Sequence, residues 1–238
     1  GNGLSVLTKN ETIKKHPKFE VFKNDKNNPN SLSHNYILSI YESKDNTLWI
    51  GTFGGGLDKF IPQSDLSSGT FKSYTTKDGL PNNIIKGILE DKENNLWLSS
   101  NKGLTKFNPK TETFKNHDVN DGLQNNEFQE LASVKRKNGE LLFGGINGYN
   151  AFFPEALRDN TIEPETIITD FYISNEHIAI DQKLNGKVLL KKAIGKTQKL
   201  DLNFNQNNIS FEFSALHYAA PQKNQFAHKL DGFDTTWK

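Results

Sequence analysis

The sequence predicts an all-β chain: the C-terminal blades of a β-propeller followed by an incomplete immunoglobulin-like β-sandwich. Three observations predict this fold class. A unit of about 45 residues recurs along the first two thirds of the chain. Each full unit holds four short strand-like segments separated by polar turns, which is typical of a propeller blade. After residue 163 the repeat stops, while short strand-like runs continue at a different spacing.

The repeat is defined by an asparagine that opens each unit and a large aromatic residue inside it. The three copies carry Asn35 with Trp49, Asn83 with Trp97, and Asn126 with Phe143. Asn83 follows Asn35 by 48 residues, Trp97 follows Trp49 by 48, and Phe143 follows Trp97 by 46. Helical repeats would show helical periodicity, and no such periodicity is visible.

The second copy shows the predicted strands most clearly. They are Ile84–Leu89, Leu96–Ser99, Leu104–Phe107 and Thr113–His117. Runs rich in Asn, Asp, Lys and Gly separate them, as expected for tight turns between antiparallel strands. Each such group of four strands is therefore predicted to form one blade.

The blade boundaries follow from aligning the copies. Residues 1–27 match the second half of a blade, 28–75 and 76–117 form full blades, and 118–153 form a last blade that lacks a fourth strand. Three and a half blades cannot close a ring without exposing two sheet edges. The remaining blades are expected from upstream sequence or from another copy, and a strand from the other end of the ring is expected to complete the last blade.

A linker at 154–163 is predicted to lead into the sandwich at 164–238. Its predicted strands are Thr166–Ile173, Val188–Leu190, Lys199–Phe204, Ile209–Phe213 and Phe226–Leu230. Ile209, Phe211 and Phe213 alternate with polar residues, which predicts one buried and one solvated face. An immunoglobulin-like sandwich needs about seven strands, so the domain is predicted to be incomplete at its C-terminus.

Composition excludes several classes of function. Lys plus Arg number 29 and Asp plus Glu 28, and no segment concentrates the basic residues, so nucleic-acid binding is not predicted. The chain has no cysteine, and its six histidines lack metal-ligand spacing, so neither a metal nor a cofactor is expected. No apolar run reaches about eighteen residues, and any membrane anchor is expected outside this chain.

The conspicuous motifs have structural explanations. Trp49, Trp97 and Phe143 could stack on sugars, but their repeated mid-strand position favours packing between blades. The glycine-rich segment Gly51–Gly56 lacks the Lys-Ser/Thr of a phosphate loop. The repeated carboxylates, including Glu90 and Asp91, indicate turn chemistry. No pair is singled out as a glycosidase dyad, so catalytic residues are not predicted.

A ligand site is predicted where the inner strand of each blade begins. Strand direction brings the turns after each second strand to the same end, because strand two runs back along strand one. The candidate ligand-binding residues at this end are Phe53, Asn101, Lys102, Asn147, Tyr36, Asn83 and Asn126. Side-chain amides both donate to and accept from sugar hydroxyls. For the repeated Asn83 and Asn126 turn geometry is the favoured explanation.

Two segments resemble known families. Leu48-Trp49-Ile50-Gly51-Thr52 with Gly55-Gly56-Leu57, and Asn95-Leu96-Trp97-Leu98 with Lys102-Gly103-Leu104, resemble the two-component regulator propeller repeat. The segment 208–218, followed by 230–237, resembles the triple-tyrosine (Y_Y_Y) domain that follows such propellers. The chain departs from the families at Phe143, which replaces a tryptophan, and at Phe226-Ala227-His228, where tyrosines are frequent.

The resemblance implies a function. Such chains are similar to the periplasmic sensor region of hybrid two-component systems of Bacteroides-type bacteria. That region recognises glycan-derived oligosaccharides, acts as a homodimer, and relays the signal through the sandwich to a membrane-anchored histidine kinase. Two alternatives remain open at this point: a non-catalytic propeller scaffold for protein interactions, and a propeller glycosidase or lyase.

Overall fold

A computed structural model describes residues 1–63, 67–158, 165–216, 221, 224 and 226–238, without the side chains of residues 9 and 10. Residues 159–163 of the predicted linker and His217-Tyr218 of the triple-tyrosine resemblance lie outside the described residues. The chain divides into two compact units, Gly1–Arg158 and Asp159–Lys238. Strands dominate both units, and the all-β prediction is confirmed. No helix among the described residues has the length and apolarity needed to cross a membrane.

The first unit consists of consecutive antiparallel sheets. Its strands are β1 (Leu4–Val6), β2 (Glu20–Phe22), β3 (Ile37–Glu42), β4 (Leu48–Thr52), β5 (Leu57–Pro62), β6 (Gly69–Tyr74), β7 (Ile85–Glu90), β8 (Leu96–Ser100), β9 (Gly103–Asn108), β10 (Thr113–His117), β11 (Phe128–Lys135), β12 (Leu141–Gly145) and β13 (Gly148–Phe152). A short helix, α1 (Lys9–Thr12), and 3₁₀ turns at Val119–Asp121 and Pro154–Ala156 complete the unit.

Each sheet follows the order of its strands along the chain. The pair β1-β2 precedes two four-stranded sheets, β3-β4-β5-β6 and β7-β8-β9-β10, and the three-stranded sheet β11-β12-β13 follows. This succession of small meanders is what a propeller repeat produces. The residue boundaries assigned to the individual blades stay predictions.

The large aromatic residues fill the seams between successive sheets. Trp49 on β4 is 2% exposed and clusters with Ile85, Ile88 and Leu96 of the next sheet. Trp97 on β8 is 1% exposed and clusters likewise with residues of the following sheet β11-β12-β13, including Phe143. Core packing of Trp49, Trp97 and Phe143 is therefore confirmed. Burial of one such side chain is worth about 3 kcal/mol or more of hydrophobic free energy. The placement of Phe143 in the Trp position of the repeat is wrong, because the hairpins Glu90–Leu96 and Lys135–Leu141 have equal length and make Phe143 the equivalent of Leu98.

The second unit contains one small sheet and a hairpin. The sheet has the order β15-β14-β18, formed by β14 (Thr166–Ile173), β15 (Glu176–His177) and β18 (Ile209–Ala215). The hairpin joins β16 (Lys183–Leu184) to β17 (Lys187–Val188), and a 3₁₀ turn spans Ile194–Lys196. The buried core of this unit is Phe171, Ile173, Ile178, Leu190 and Ile194.

The predicted sandwich is not confirmed, and two of its strands are wrong. Residues 199–204 and 226–230 form no strand. In the first of these segments, the Asn203 N–H donates to the Gln206 side chain (2.7 Å), which closes a turn and leaves Phe204 96% exposed. In the second, His228 exchanges one pair of backbone hydrogen bonds with Lys238, which is too short a ladder for a strand.

The apolar face of β18 also differs from expectation. Ile209, Phe211 and Phe213 were predicted to be buried, yet each is more than a third exposed. Their strand, β18, pairs with β14 in one sheet, but no second sheet among the described residues covers the apolar face of β18. Alternation in the sequence thus identifies the apolar side of a strand, whereas burial requires a partner layer.

Candidate ligand-binding face

Backbone hydrogen bonds bring the predicted ligand residues of the first unit to one end of its sheets. The Phe53 N–H donates to the Tyr36 carbonyl (2.9 Å), and the Gly103 N–H donates to the Asn126 carbonyl (2.7 Å). These bonds tie the turns after β4 and β8 to the starts of inner strands. The resulting surface is called the amide-rich face and comprises Tyr36, Phe53, Asn83, Asn101, Lys102, Asn126 and Asn147.

The repeated asparagines on this face are engaged in structural hydrogen bonds. The Asn83 side-chain oxygen accepts from the Thr76 N–H (2.8 Å), and that of Asn126 accepts from the Val119 N–H (2.9 Å). Asn35 repeats the pattern by accepting from the Asn24 N–H (2.7 Å). Each asparagine therefore anchors the loop that leaves the preceding sheet, as the turn-geometry explanation expects.

A glycine completes this anchor in each of the first three sheets. Gly3, Gly56 and Gly103 donate their N–H to the carbonyl oxygens of Asn35, Asn83 and Asn126, respectively. All three have positive φ, and a Cβ on Gly103 would lie 2.0 Å from the His117 carbonyl oxygen of the neighbouring fourth strand. Both the conformation and the close approach require glycine.

Tyr36 and Phe53 form an exposed aromatic pair. Their ring centroids are 5.5 Å apart, and each side chain is 47% exposed. An isolated bridge between Phe53 and Ile84 holds the β4–β5 turn against the next sheet. Because aromatic faces favour contact with the apolar side of a sugar ring, this pair is the strongest stacking surface that the described part of the face offers.

Two buried amide groups on this face lack a hydrogen-bond partner within the described part of the chain. They are the Asn101 side-chain oxygen and the Gln124 side-chain nitrogen. Gln124 also accepts from the Asn147 N–H (2.8 Å) and so holds the exposed Asn147 in place. The face therefore leaves one buried acceptor and one buried donor without a partner among the described residues. Lys102 beside them is exposed.

The sequence interpretation missed Gln124. A signal was present, because Gln124 replaces the Pro81 of the parallel phrase Asp78-Gly79-Leu80-Pro81 in the preceding unit. Proline cannot donate a hydrogen bond, and glutamine brings a new donor and acceptor to a repeated position.

The repeated carboxylates lie at the opposite end of the sheets and serve the turns there. Asp91 accepts from the N–H groups of Glu93 and Asn95 (2.9 Å each) and from the Trp97 indole N–H (3.1 Å). Glu90 accepts from the Lys44 N–H and the Tyr41 hydroxyl (3.1 and 3.4 Å). Burial, together with the nearby Glu90 charge, raises the pKa of Tyr41. The turn-chemistry explanation of these carboxylates is confirmed.

A cleft of about 510 Å³ lies at that same opposite end, between the two four-stranded sheets. Its charged lining residues are Lys44, Asp45, Lys59, Glu90 and Lys110. The Lys59 ammonium lies 5.6 Å from the Trp49 ring centroid, within cation–π range. Since the walls are formed by turn and seam residues that the repeat already explains, the cleft is a weaker candidate than the amide-rich face.

Comparison with known proteins agrees with the repeat structure. The family model described as "Two component regulator propeller" matches residues 31–54 and 79–102. These segments span β3–β4 and β7–β8 together with the turns that carry Tyr36, Phe53 and Asn101. Both segments are similar to the two-component regulator propeller repeat.

Full-length relatives extend well beyond this chain. A protein named histidine kinase P4 from Formosa agariphila is 31% identical over 140 residues, which cover 59% of this chain and 10% of that protein. The extracellular domain assigned to hybrid two-component system BT3049 of B. thetaiotaomicron is 23% identical, with a TM-score of 0.58 over 93% of this chain and 34% of that one. The chain thus spans about a tenth of the curated relative and about a third of the solved domain, whose likeness supports the fold.

Proposed function

We propose that this chain is part of the periplasmic sensing region of a two-component sensor histidine kinase and is itself non-catalytic. The observation that carries the proposal is the pair of two-component regulator propeller repeats. The identity to a histidine kinase over more than half of the chain supports it. The carboxylates discussed above are occupied by turns and give no support to a glycosidase or lyase.

The ligand in this proposal is a glycan-derived oligosaccharide bound at the amide-rich face. Tyr36 and Phe53 supply an apolar ring surface. The unpaired Asn101 acceptor and Gln124 donor lie beneath this surface, and a sugar hydroxyl reaches them once the groups that cover them move aside. This combination of an aromatic surface with amides suits a hydroxyl-rich, uncharged ligand better than a nucleotide, for which the glycine turn offers no phosphate cradle.

Signal relay is assigned to the second unit, in a receptor that acts as a homodimer. Histidine kinases of this class act as dimers. A bound ligand must therefore change how the two subunits are arranged relative to each other. The exposed apolar face of β18, with Phe211 and Phe213, is available for such packing.

Calorimetric titration of the complete extracytoplasmic region against neutral, amino-sugar and acidic oligosaccharides tests the proposal. Binding without turnover is the expected result. Turnover of a bound sugar would instead indicate a glycosidase or lyase, and neither binding nor turnover would indicate a scaffold. Phe53→Ala should weaken binding about tenfold through loss of one aromatic surface. Phe19→Ala, which removes an aromatic residue of similar exposure away from the face, should leave binding unchanged.

A further inference from the structure

The third repeat unit departs from the other two in its first strand. Thirteen residue steps separate Asn35 from Leu48 and Asn83 from Leu96, which begin the second strands, but fifteen separate Asn126 from the equivalent Leu141. The structure places both extra residues at one point. Ile85 and Ile88, which pair with Ser100 and Leu98, are three steps apart, whereas Phe128 and Ser133, which pair with the equivalent Gly145 and Phe143, are five steps apart. The insertion therefore lies within β11.

The insertion enlarges a bulge that the other units already have. In β3 and β7 the pairing with the second strand skips one residue, Leu38 and Lys86 respectively. In β11 it skips residues 129–132 opposite Gly144 alone. Bulges of this kind re-aim side chains and are frequent beside functional sites. A bulge that grows in one repeat only is not required by the repeat itself.

The enlarged bulge extends away from its sheet. Among the described residues β11 pairs with β12 and with no other strand. The β11 residues that do not pair therefore project to the side away from β12. That side is shared by the inner strands β3, β7 and β11 and corresponds to the central channel of a propeller. The residues there, Gln129, Glu130 and Leu131, are exposed, and Leu131 is 86% exposed.

The bulge holds a strained conformation without a visible structural benefit. Leu131 has φ +58°, a region that is costly for a branched apolar residue. Its side chain gains no burial in return, and the described part of the chain provides no hydrogen bond or ion pair for the side chains of Gln129 and Glu130. Backbone strain of about 1–3 kcal/mol that is not offset by side-chain packing is characteristic of functional segments.

The base of the bulge is bonded to the preceding sheet and adjoins the amide-rich face. The Lys86 ammonium is buried, donates to the Phe128 carbonyl (2.7 Å) and lies 3.7 Å from the Glu127 carboxylate. The Glu127 carbonyl accepts from the Ile146 N–H (3.2 Å), next to Asn147 of the face. Lys86 is itself the bulge residue of the preceding unit, so the two bulges are linked.

We infer that the bulge Gln129–Leu131 is the specificity-determining contact for the oligosaccharide, a conclusion that rests on the proposed function. The Glu130 carboxylate can accept from two neighbouring hydroxyls, and the Gln129 amide can both donate and accept. Leu131 offers an apolar surface to the C–H side of a sugar. The ligand then spans from the amide-rich face into the channel, where the bulge reads one of its sugar units.

Titration of the complete extracytoplasmic region with the same oligosaccharide panel tests this inference. Glu130→Gln and Gln129→Ala should each weaken binding of the preferred oligosaccharide about tenfold or more, the effect of losing a hydrogen bond to a buried or charged group. Deletion of residues 130–131 restores the spacing of the other repeats and should abolish the preference among sugars. Glu42→Gln makes the same charge change at the other end of an inner strand and should leave binding unchanged.

The outcomes separate the inference from the proposed function. If the unaltered protein binds an oligosaccharide, and the two point variants, folded by circular dichroism, bind it with the same affinity and preference, the inference is wrong and the sensing function stands. If the unaltered protein binds no member of the panel, both fail together. The point variants remove no buried group, so the test does not depend on the deletion variant folding.

Discussion

At the scale of single residues, the missing fourth strand of the last sheet changes what one glycine has to do. Gly103 and Gly148 occupy the same place after the second strand of their units, and both have positive φ. A Cβ on Gly103 would meet the β10 carbonyl of His117, while a Cβ on Gly148 would meet nothing within 4 Å. The two positions therefore share the conformational requirement and differ in the steric one.

This difference predicts unequal costs for the same substitution. Gly148→Ala should lower the free energy of unfolding by about 1–2 kcal/mol, the cost of a left-handed alanine. Gly103→Ala should cost at least about 2 kcal/mol more, because the added methyl must displace a backbone carbonyl. Urea unfolding of the two variants measures both costs, and equal values would show that the clash is relieved at no cost.

Asp58 on β5 carries a second residue-scale prediction, which concerns pH. Burial raises the pKa of its carboxyl, against the lowering effect of hydrogen bonds from Ser73 and the Ser33 N–H (2.9 Å). The folded state therefore holds this proton more tightly than the unfolded state. Stability falls as the pH rises from the unfolded pKa, about 3.9, through the raised folded pKa, and the loss is complete above it.

Asp58→Asn removes this titration and keeps a side-chain acceptor for Ser33. The variant should gain stability relative to the parent as the pH rises from about 4 to 7. Fluorescence of the buried Trp49 and Trp97, recorded in a Trp237→Phe background during urea unfolding, follows the first unit alone. A stability difference that stays constant over this range would show that the carboxyl titrates as in the unfolded chain.

At the scale of elements, the sheet β11-β12-β13 ends in an unpaired strand. β9 pairs with both β8 and β10, whereas β13 pairs with β12 alone. The open edge of β13 is a template for another strand, and a strand from the other end of the ring is the expected partner.

Hydrogen exchange tests this expectation. In the isolated chain about half of the β13 amides should exchange quickly, because alternate N–H groups face the open edge. The β9 amides should be protected throughout. In the complete extracytoplasmic region the open-edge amides of β13 should become protected as well. Fast exchange there would mean that the last blade remains three-stranded.

Strand prediction succeeded where the signal is local and repeated. The segment Ile84–Leu89 corresponds to β7 within one residue at each end, and Thr113–His117 is β10. Turn residues bound each of these segments on both sides. Lys199–Phe204 and Phe226–Leu230 have equally apolar character, but a strand also needs a partner at a distance in sequence. No local pattern reports that partner.

The candidate site, like the strands, could be predicted only in part from the sequence. The placement of the seven residues at one end of the sheets follows from strand direction alone. The orphaned Asn101 oxygen depends on which neighbours bury it, which no spacing in the sequence reveals. The bulge in β11 was accessible in principle, since the count from Asn126 to Leu141 exceeds the count from Asn83 to Leu96 by two.

At the scale of the whole molecule, the chain has two separate sets of buried side chains. The first unit is held by seam clusters that contain Trp49 and Trp97, and the second by a smaller cluster around Phe171. No buried residue is shared between these clusters. Units with their own cores unfold as separate cooperative transitions unless a large apolar interface couples them.

Scanning calorimetry should therefore resolve two transitions, and core variants should assign them. Phe171→Ala removes the most buried side chain of the second unit, at a cost of about 3–5 kcal/mol, and should lower or abolish one transition alone. Leu98→Ala, in the seam cluster of the first unit, should lower only the other. If either variant shifts both transitions by similar amounts, the two units unfold together. Ligand binding to one unit would then raise the unfolding free energy of the other, and a signal could pass in that way without a movement of independent bodies.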